Sequence, residues 1–209
     1  MKLQIAIDLA TGAEALKMVG RIRDEIDIVE VGTPLIMKEG MVPVRLIKKT
    51  YPNVIVLADT KIVDGGDIEC ADACEAGADI VTVLALADNE TVKAVIDTAH
   101  KFGRKAMADL ICVTDIQKRA RELEAMGIDY VCVHTAVDVQ KLGKTPLDDL
   151  TELVAAIPPH KTAVAGGINM KTLDAYKALN PAIVIAGGSL TNAENLHDAV
   201  AEMKKAILD

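Results

Sequence analysis

Aromatic residues are nearly absent from this 209-residue chain: there is no tryptophan, one phenylalanine and three tyrosines. Yet 51% of the residues are hydrophobic. A core of that composition is built from Ala, Val, Ile and Leu, which suits parallel strands covered by Ala-rich helices. Positive charge is also scarce relative to negative, and the formal net charge of −8 argues against a nucleic-acid or anionic-membrane partner. No apolar run approaches the roughly 20 residues of a membrane span. Met1 and Lys2 lead directly into a strand pattern, without the basic stretch, apolar run and cleavage site of a signal peptide. The four cysteines form no C-x-x-C and no metal-ligand spacing, and Cys70 and Cys74, one helical turn apart in an Ala-rich segment, read as buried thiols. A reducing cytoplasm fits all of this.

What is present is an alternation of two periods. Short β-branched runs occur at 3–9, 27–32, 54–60, 79–84, 104–110, 129–134, 161–165 and 182–187. Helical patterns fill the intervals at 13–24, 40–50, 66–77, 89–102, 114–127, 147–157, 170–179 and 193–208. The helix reading rests on spacings such as Leu16, Val19, Ile22 and Ile26. Gly77, Gly103 and Gly127 close three helices, where a left-handed conformation is required. The phrases AGAD at 76–79 and MGID at 126–129 mark the same helix-to-strand junction twice. Strict alternation of eight strands and eight helices predicts a single-domain (β/α)8 TIM barrel over 1–209, with a doubly wound open sheet as the alternative.

The chemistry concentrates in residues 54–64, VIVLADTKIVD. An apolar strand ends by presenting Asp59 and Lys61, which in an extended backbone point to one face, followed by Asp64 at a turn before Gly65-Gly66. By itself this is a structural ion pair at a strand end. Other expected strands end in the same way: Asp8, Glu30, Asp109 and His134 stand at four of them, and the pairs Gly166-Gly167 and Gly187-Gly188 at two more. In a (β/α)8 barrel those ends form one mouth. Carboxylates converging there repel unless a cation neutralises them, and an oxygen-rich set with one histidine and no cysteine cluster suits Mg²⁺. Glu30 and Asp59, on neighbouring strands, are the expected ligands. Lys61 among carboxylates stays charged, acting as an electrostatic stabiliser and proton donor rather than a Schiff-base nucleophile. His134 is the natural general base, set against a hydrogen-bonded core imidazole. The glycine pairs let backbone N–H groups approach a phosphate, set against simple turns.

The run ADTKIVDGG, with Asp8, Glu30 and VHTAVDVQ at 133–140, resembles the orotidine 5′-phosphate decarboxylase superfamily and its D-x-K-x-x-D signature. Within it the chain is similar along essentially its whole length to the 3-hexulose-6-phosphate synthases, through LQIAIDL, VEVGTP, DIVTVLA, VCVHT and TAVAGGI. The orotidine decarboxylases carry a lysine where this chain has Glu30, and use no metal. The 3-keto-L-gulonate-6-phosphate decarboxylases share the metal site but carry arginines where this chain has Val137 and Gly188.

The resemblance implies a reversible Mg²⁺-dependent aldol reaction of D-ribulose 5-phosphate with formaldehyde. In it His134 removes the C1 proton, the metal and Lys61 stabilise the enediolate, and Asp8 and Asp64 position Lys61 and the substrate hydroxyls. Asp109, where the decarboxylases have glutamate, binds a hydroxyl or a water. The resemblance also implies a homodimer in which Asp64 completes the partner's site. A decarboxylase and a non-catalytic sugar-phosphate binding protein on the same barrel are the alternatives.

Overall fold

The computed structural model describes residues 1–209. Its eight strands are β1 (Lys2–Ile7), β2 (Ile28–Val31), β3 (Ile55–Ile62), β4 (Ile80–Leu84), β5 (Lys105–Asp109), β6 (Tyr130–His134), β7 (Thr162–Ala165) and β8 (Ile183–Ala186). Each runs parallel to its neighbours in sequence order, and β1 also pairs with β8, so the sheet closes. Closure excludes the open doubly wound sheet, and the chain is a single (β/α)8 barrel. No helix is long and apolar enough to cross a membrane.

The helices are α1 (Gly12–Ile22), α2 (Thr33–Glu39), α3 (Val42–Thr50), α4 (Gly66–Glu75), α5 (Asn89–Lys101), α6 (Ile116–Met126), α7 (Val137–Gln140), α8 (Leu147–Ala156), α9 (Leu173–Lys177), α10 (Gly188–Thr191) and α11 (Leu196–Leu208). The eight expected helices are present, although the one expected over 170–179 shrinks to Leu173–Lys177. Three more, α2, α7 and α10, were not expected, and each follows a strand directly on the mouth side. Their brevity explains this. The longest, α2, buries only Leu35, so it lacks an apolar period and is initiated instead by Pro34 in its first turn. Among the expected helices, α1 shows the local logic most fully. Thr11 accepts from the Glu14 N–H while Glu14 accepts from the Thr11 N–H, and Ala15, Val19 and Ile22 form its buried face. Gly77, Gly103 and Gly127 adopt φ of 102°, 67° and 92°, as their helix-stop positions require.

The apolar core has two compartments. One, of 50 buried residues, lies between sheet and helices, and contains Cys70 and Cys74. The other, of 11, fills the barrel itself with residues such as Ile28, Leu57, Met107 and Cys132. All four cysteines are free thiols.

At the opposite end from the mouth, aspartates just before β2, β4 and β6 repeat one device. Asp27 accepts the Leu3 N–H, Asp79 the Val56 N–H and Asp129 the Ala106 N–H, so each ties its strand to the preceding one. Each also meets a cationic or imidazole side chain: Lys204 for Asp27, Lys48 and Arg104 for Asp79, and His100 for Asp129. The recurring AGAD and MGID phrases are these clamps. The corresponding place before β8 holds Ala182, whose N–H goes to the carbonyls of Pro159 and Thr162.

Candidate active site

Strand alternation delivers the polar groups to one place. Every second residue of a barrel strand faces the axis. Glu30, Asp59, Asp109 and His134 each stand two residues after an interior apolar residue, respectively Ile28, Leu57, Met107 and Cys132. Thr82 follows Ile80 by the same step. A polar layer thus rests on an apolar plug at the C-terminal strand ends.

Asp59 and Lys61 do meet, with Nζ 2.9 Å from Oδ1 and 2.7 Å from Oδ2. They do so through a bulge rather than the simple extended strand expected. The β3–β4 register shifts between Ala58 and Ile62, and Lys61 has φ 49°, a left-handed conformation that costs a non-glycine residue about 1–3 kcal/mol. Thr82 secures the bulge, accepting the Lys61 N–H at 2.9 Å while its hydroxyl donates to Asp59 Oδ1 at 2.9 Å. The Thr33 hydroxyl donates to Asp59 Oδ2 at 2.7 Å. Neither threonine had been singled out in the sequence, because a hydroxyl among apolar residues has no spacing of its own.

Asp109 joins the lysine to the histidine. Its Oδ2 lies 3.0 Å from Lys61 Nζ and 2.9 Å from His134 Nδ1, and its Oδ1 accepts the Ile111 N–H at 2.9 Å. Burial opposes its charge, but the His134 hydrogen bond and the nearby cationic groups outweigh it and hold Asp109 below the usual carboxylate range. Asp109, expected to bind a hydroxyl or a water, bonds two protein side chains within the chain. For Lys61, burial disfavours the ammonium, and Asp59 and Asp109 more than offset this, so its pKa is raised. Within the chain neither Asp8 nor Asp64, the residues expected to position Lys61, hydrogen-bonds to it. Asp59 and Asp109 hold it.

Asp8 lies between the ends of β2 and β8. Its Oδ1 would be 1.9 Å from a Cβ placed on Gly32, so any larger residue there would displace the Asp8 carboxylate, and its Oδ2 is 3.8 Å from the same point on Gly187. Asp64 is exposed, and its carboxylate accepts only the N–H of Gly65. The close approach at Gly65-Gly66 is made within the chain: a Cβ on Gly66 would stand 2.6 Å from the Thr91 carbonyl, whereas Gly65, at φ 59°, has open space.

Gly166 has φ 113° and sits against Thr135, where a Cβ would be 2.6 Å from the carbonyl oxygen. Gly167 has φ 71°, and Gly187-Gly188 begin α10 with negative φ at Gly187. No N–H of these four glycines donates to a loop carbonyl or side chain within the chain.

The donor set fits a hard divalent cation. Burial and the charge of Asp59 push Glu30 up to about 8, and burial with Asp59 also raises Asp8. The mouth therefore concentrates more negative charge than Lys61 neutralises. No three His, Cys, Asp or Glu residues are grouped as a metal cage. Two carboxylates completed by substrate oxygens are the kind of site Mg²⁺ favours.

The chain matches the model of the orotidine 5′-phosphate decarboxylase / HUMPS family over residues 1–203. It belongs to that family. Among curated family members, the 3-hexulose-6-phosphate synthase of Bacillus subtilis (strain 168) is 42% identical over 208 residues, covering 100% of this chain and 99% of that protein. The crystal structure of 3-hexulose-6-phosphate synthase from Salmonella typhimurium superposes with a TM-score of 0.96 at 40% identity, over 100% of this chain and 99% of that one. The 3-keto-L-gulonate-6-phosphate decarboxylase of Vibrio cholerae O1 biovar El Tor shares the family barrel with a TM-score of 0.86 at 28% identity, over 99% and 96% of the two chains.

Proposed function

We propose that this member of the family is a reversible, divalent-metal-dependent aldolase that joins formaldehyde to C1 of D-ribulose 5-phosphate, forming D-arabino-hex-3-ulose 6-phosphate. The synthase relatives support an aldolase-type lyase reaction. The observation carrying the reading furthest is the Asp109–His134 hydrogen bond at Nδ1. It leaves Nε2 as the proton acceptor, the arrangement needed in a general base.

His134 takes a proton from C1, and the electron pair becomes the C1–C2 double bond of an enediolate. Lys61, kept cationic by Asp59 and Asp109, stabilises the oxygen charge that develops. C1 then attacks the formaldehyde carbon, and the proton on His134 is returned to the former aldehyde oxygen. Glu30 and Asp59 would hold the cation, which supplies positive charge to the ketone and its neighbouring hydroxyl when bound. The glycine pairs grip the phosphate through backbone N–H groups, and Asp8 accepts from a substrate hydroxyl. Mg²⁺ is the cation proposed. The test follows formaldehyde and ribulose 5-phosphate consumption together, with and without exhaustive chelation. Stoichiometric loss of both, abolished by chelator and restored by Mg²⁺, is expected; activity untouched by metal removal would overturn the metal assignment.

The working form proposed is a homodimer in which Asp64 completes the partner's mouth. Asp64 stands outside the cluster of its own chain, and Val63 before it and Ile68 in α4 are 57% and 68% exposed. Mixing inactive Asp64→Asn and His134→Ala chains should regenerate sites with neither defect. A mixture that forms heterodimers without recovering activity would argue against shared sites.

A further inference from the structure

Gln4 is fully buried in the barrel, on β1, where its register partners are Ile28 and Ile185. Its Nε2 donates to Glu30 Oε2 at 2.6 Å, the one hydrogen bond that the Glu30 side chain makes. Its Oε1 is the single buried side-chain polar atom without a partner. An apolar residue of similar volume would fill this position without leaving an amide oxygen unpaired. Turning the amide over would not help once Glu30 is ionised, as holding a cation requires, because its oxygen would then face the carboxylate. The amide is therefore retained at a cost, and the only group that gains from it is Glu30. Glu30 Oε1 has no hydrogen bond either, yet it is not among the buried unpartnered atoms, so it reaches accessible space. One carboxylate oxygen is tied down into the barrel and the other is left to the mouth.

We propose that Gln4 is a positioning residue that holds Glu30 with a single oxygen presented to the divalent cation. This rests on the reading of Glu30 as a ligand. Without the amide, Glu30 is free to rotate within the mouth, and a cation meets a carboxylate that must first be ordered. Loss of a partner that orients a metal ligand typically weakens metal binding 10–100-fold.

The probe is Mn²⁺, titrated by electron paramagnetic resonance into metal-free chains without substrate. Gln4→Met keeps the volume and removes the donor, and should raise the Mn²⁺ Kd at least about tenfold while the circular dichroism spectrum is unchanged. In a Glu30→Gln background the same substitution should have no further effect on Kd, since the oriented carboxylate is already gone. A purely structural role for Gln4 would change thermal stability and leave Kd alone. A Kd within threefold of the parent in Gln4→Met overturns the proposal. Should Gln4→Met not fold, the same limit applies to Gln4→Asn, whose shorter side chain withdraws the donor. If Glu30→Gln alone retains the parental Kd, the ligand reading fails and the role of Gln4 falls with it.

Discussion

Asp109→Asn exchanges one oxygen for an NH₂ group at the point where three contacts converge. If the amide oxygen keeps the Ile111 N–H, the NH₂ faces Lys61 Nζ and His134 Nδ1. A donor then opposes an ammonium, and the imidazole can accept from the amide only with its proton on Nε2. The base is lost because its lone pair points the wrong way. If the amide turns over, two donors meet at Ile111, in a position where Asp109 is only 4% exposed. The first outcome removes two charge-assisted hydrogen bonds, destabilising the chain by roughly 3 kcal/mol, whereas the second keeps them and leaves the buried Ile111 N–H facing a donor. The wrong tautomer lowers the proton-transfer rate by about 10³–10⁴, or roughly 4–5.5 kcal/mol in the barrier. Exchange of the C1 proton of ribulose 5-phosphate in D₂O, followed by NMR without formaldehyde, isolates this step. It should fall at least about 10³-fold, and His134→Ala should not worsen it further in the double variant. Exchange within tenfold of the parent would refute the reasoning.

Four other substitutions test separate features. Glu30 carries its raised pKa of about 8 against an unfolded value near 4.5, so the metal-free native state binds the extra proton. Stability should then decline as pH rises through that window, by about 1.4 kcal/mol per unit, and chelator-treated Glu30→Gln should lack the slope in denaturant titrations. Asp109, with its lowered pKa, contributes in the opposite sense, its stabilisation being lost as pH falls below the ordinary carboxylate range. Gly166→Ala adds a left-handed penalty to a clash with the Thr135 backbone, costing roughly 2–4 kcal/mol, whereas Gly65→Ala, with open space, should cost about 1 kcal/mol by thermal unfolding. Val137, three residues after His134 and 65% exposed at the start of α7, has no side-chain hydrogen-bond donor. Val137→Arg should raise decarboxylation of 3-keto-L-gulonate 6-phosphate and depress formaldehyde addition, and a parent chain that decarboxylates faster than it consumes formaldehyde would contradict the aldolase reading.

The strands were legible because each is a compact β-branched run, and the mouth because its ionisable residues interrupt such runs at their ends. Gln4 was missed for the converse reason. It lies within LQIAIDL, where one polar residue looks like ordinary alternation, and only closure of the barrel turns that face inward. Its signal was parity, since Gln4, Ala6 and Asp8 share one face. The meeting of Asp59 with Lys61 was anticipated, but the bulge was not, because it depends on Thr82 from another strand. Asp109 read as substrate-facing for a similar reason: its partners lie 48 and 25 residues away in sequence. The short helices after β2, β6 and β8 carry too few buried positions to show a period.

The aspartate clamps at the barrel floor divide the chain into pairs of strands, β1–β2, β3–β4 and β5–β6, with β7–β8 joined by backbone alone. The groups that build the mouth follow the same division. Gln4 and Glu30 belong to the first pair, Asp59, Lys61 and Thr82 to the second, Asp109 and His134 to the third, and the glycine loops to the fourth. Each quarter brings its own fragment of the mouth; the backbone ladders run on between quarters, and within the mouth the side-chain contacts Lys61 to Asp109 and Thr33 to Asp59 join one fragment to the next. A small local shift that parts these side chains would therefore abolish turnover while leaving the strand ladders in place. Catalysis becomes a gauge of whether the fragments are docked.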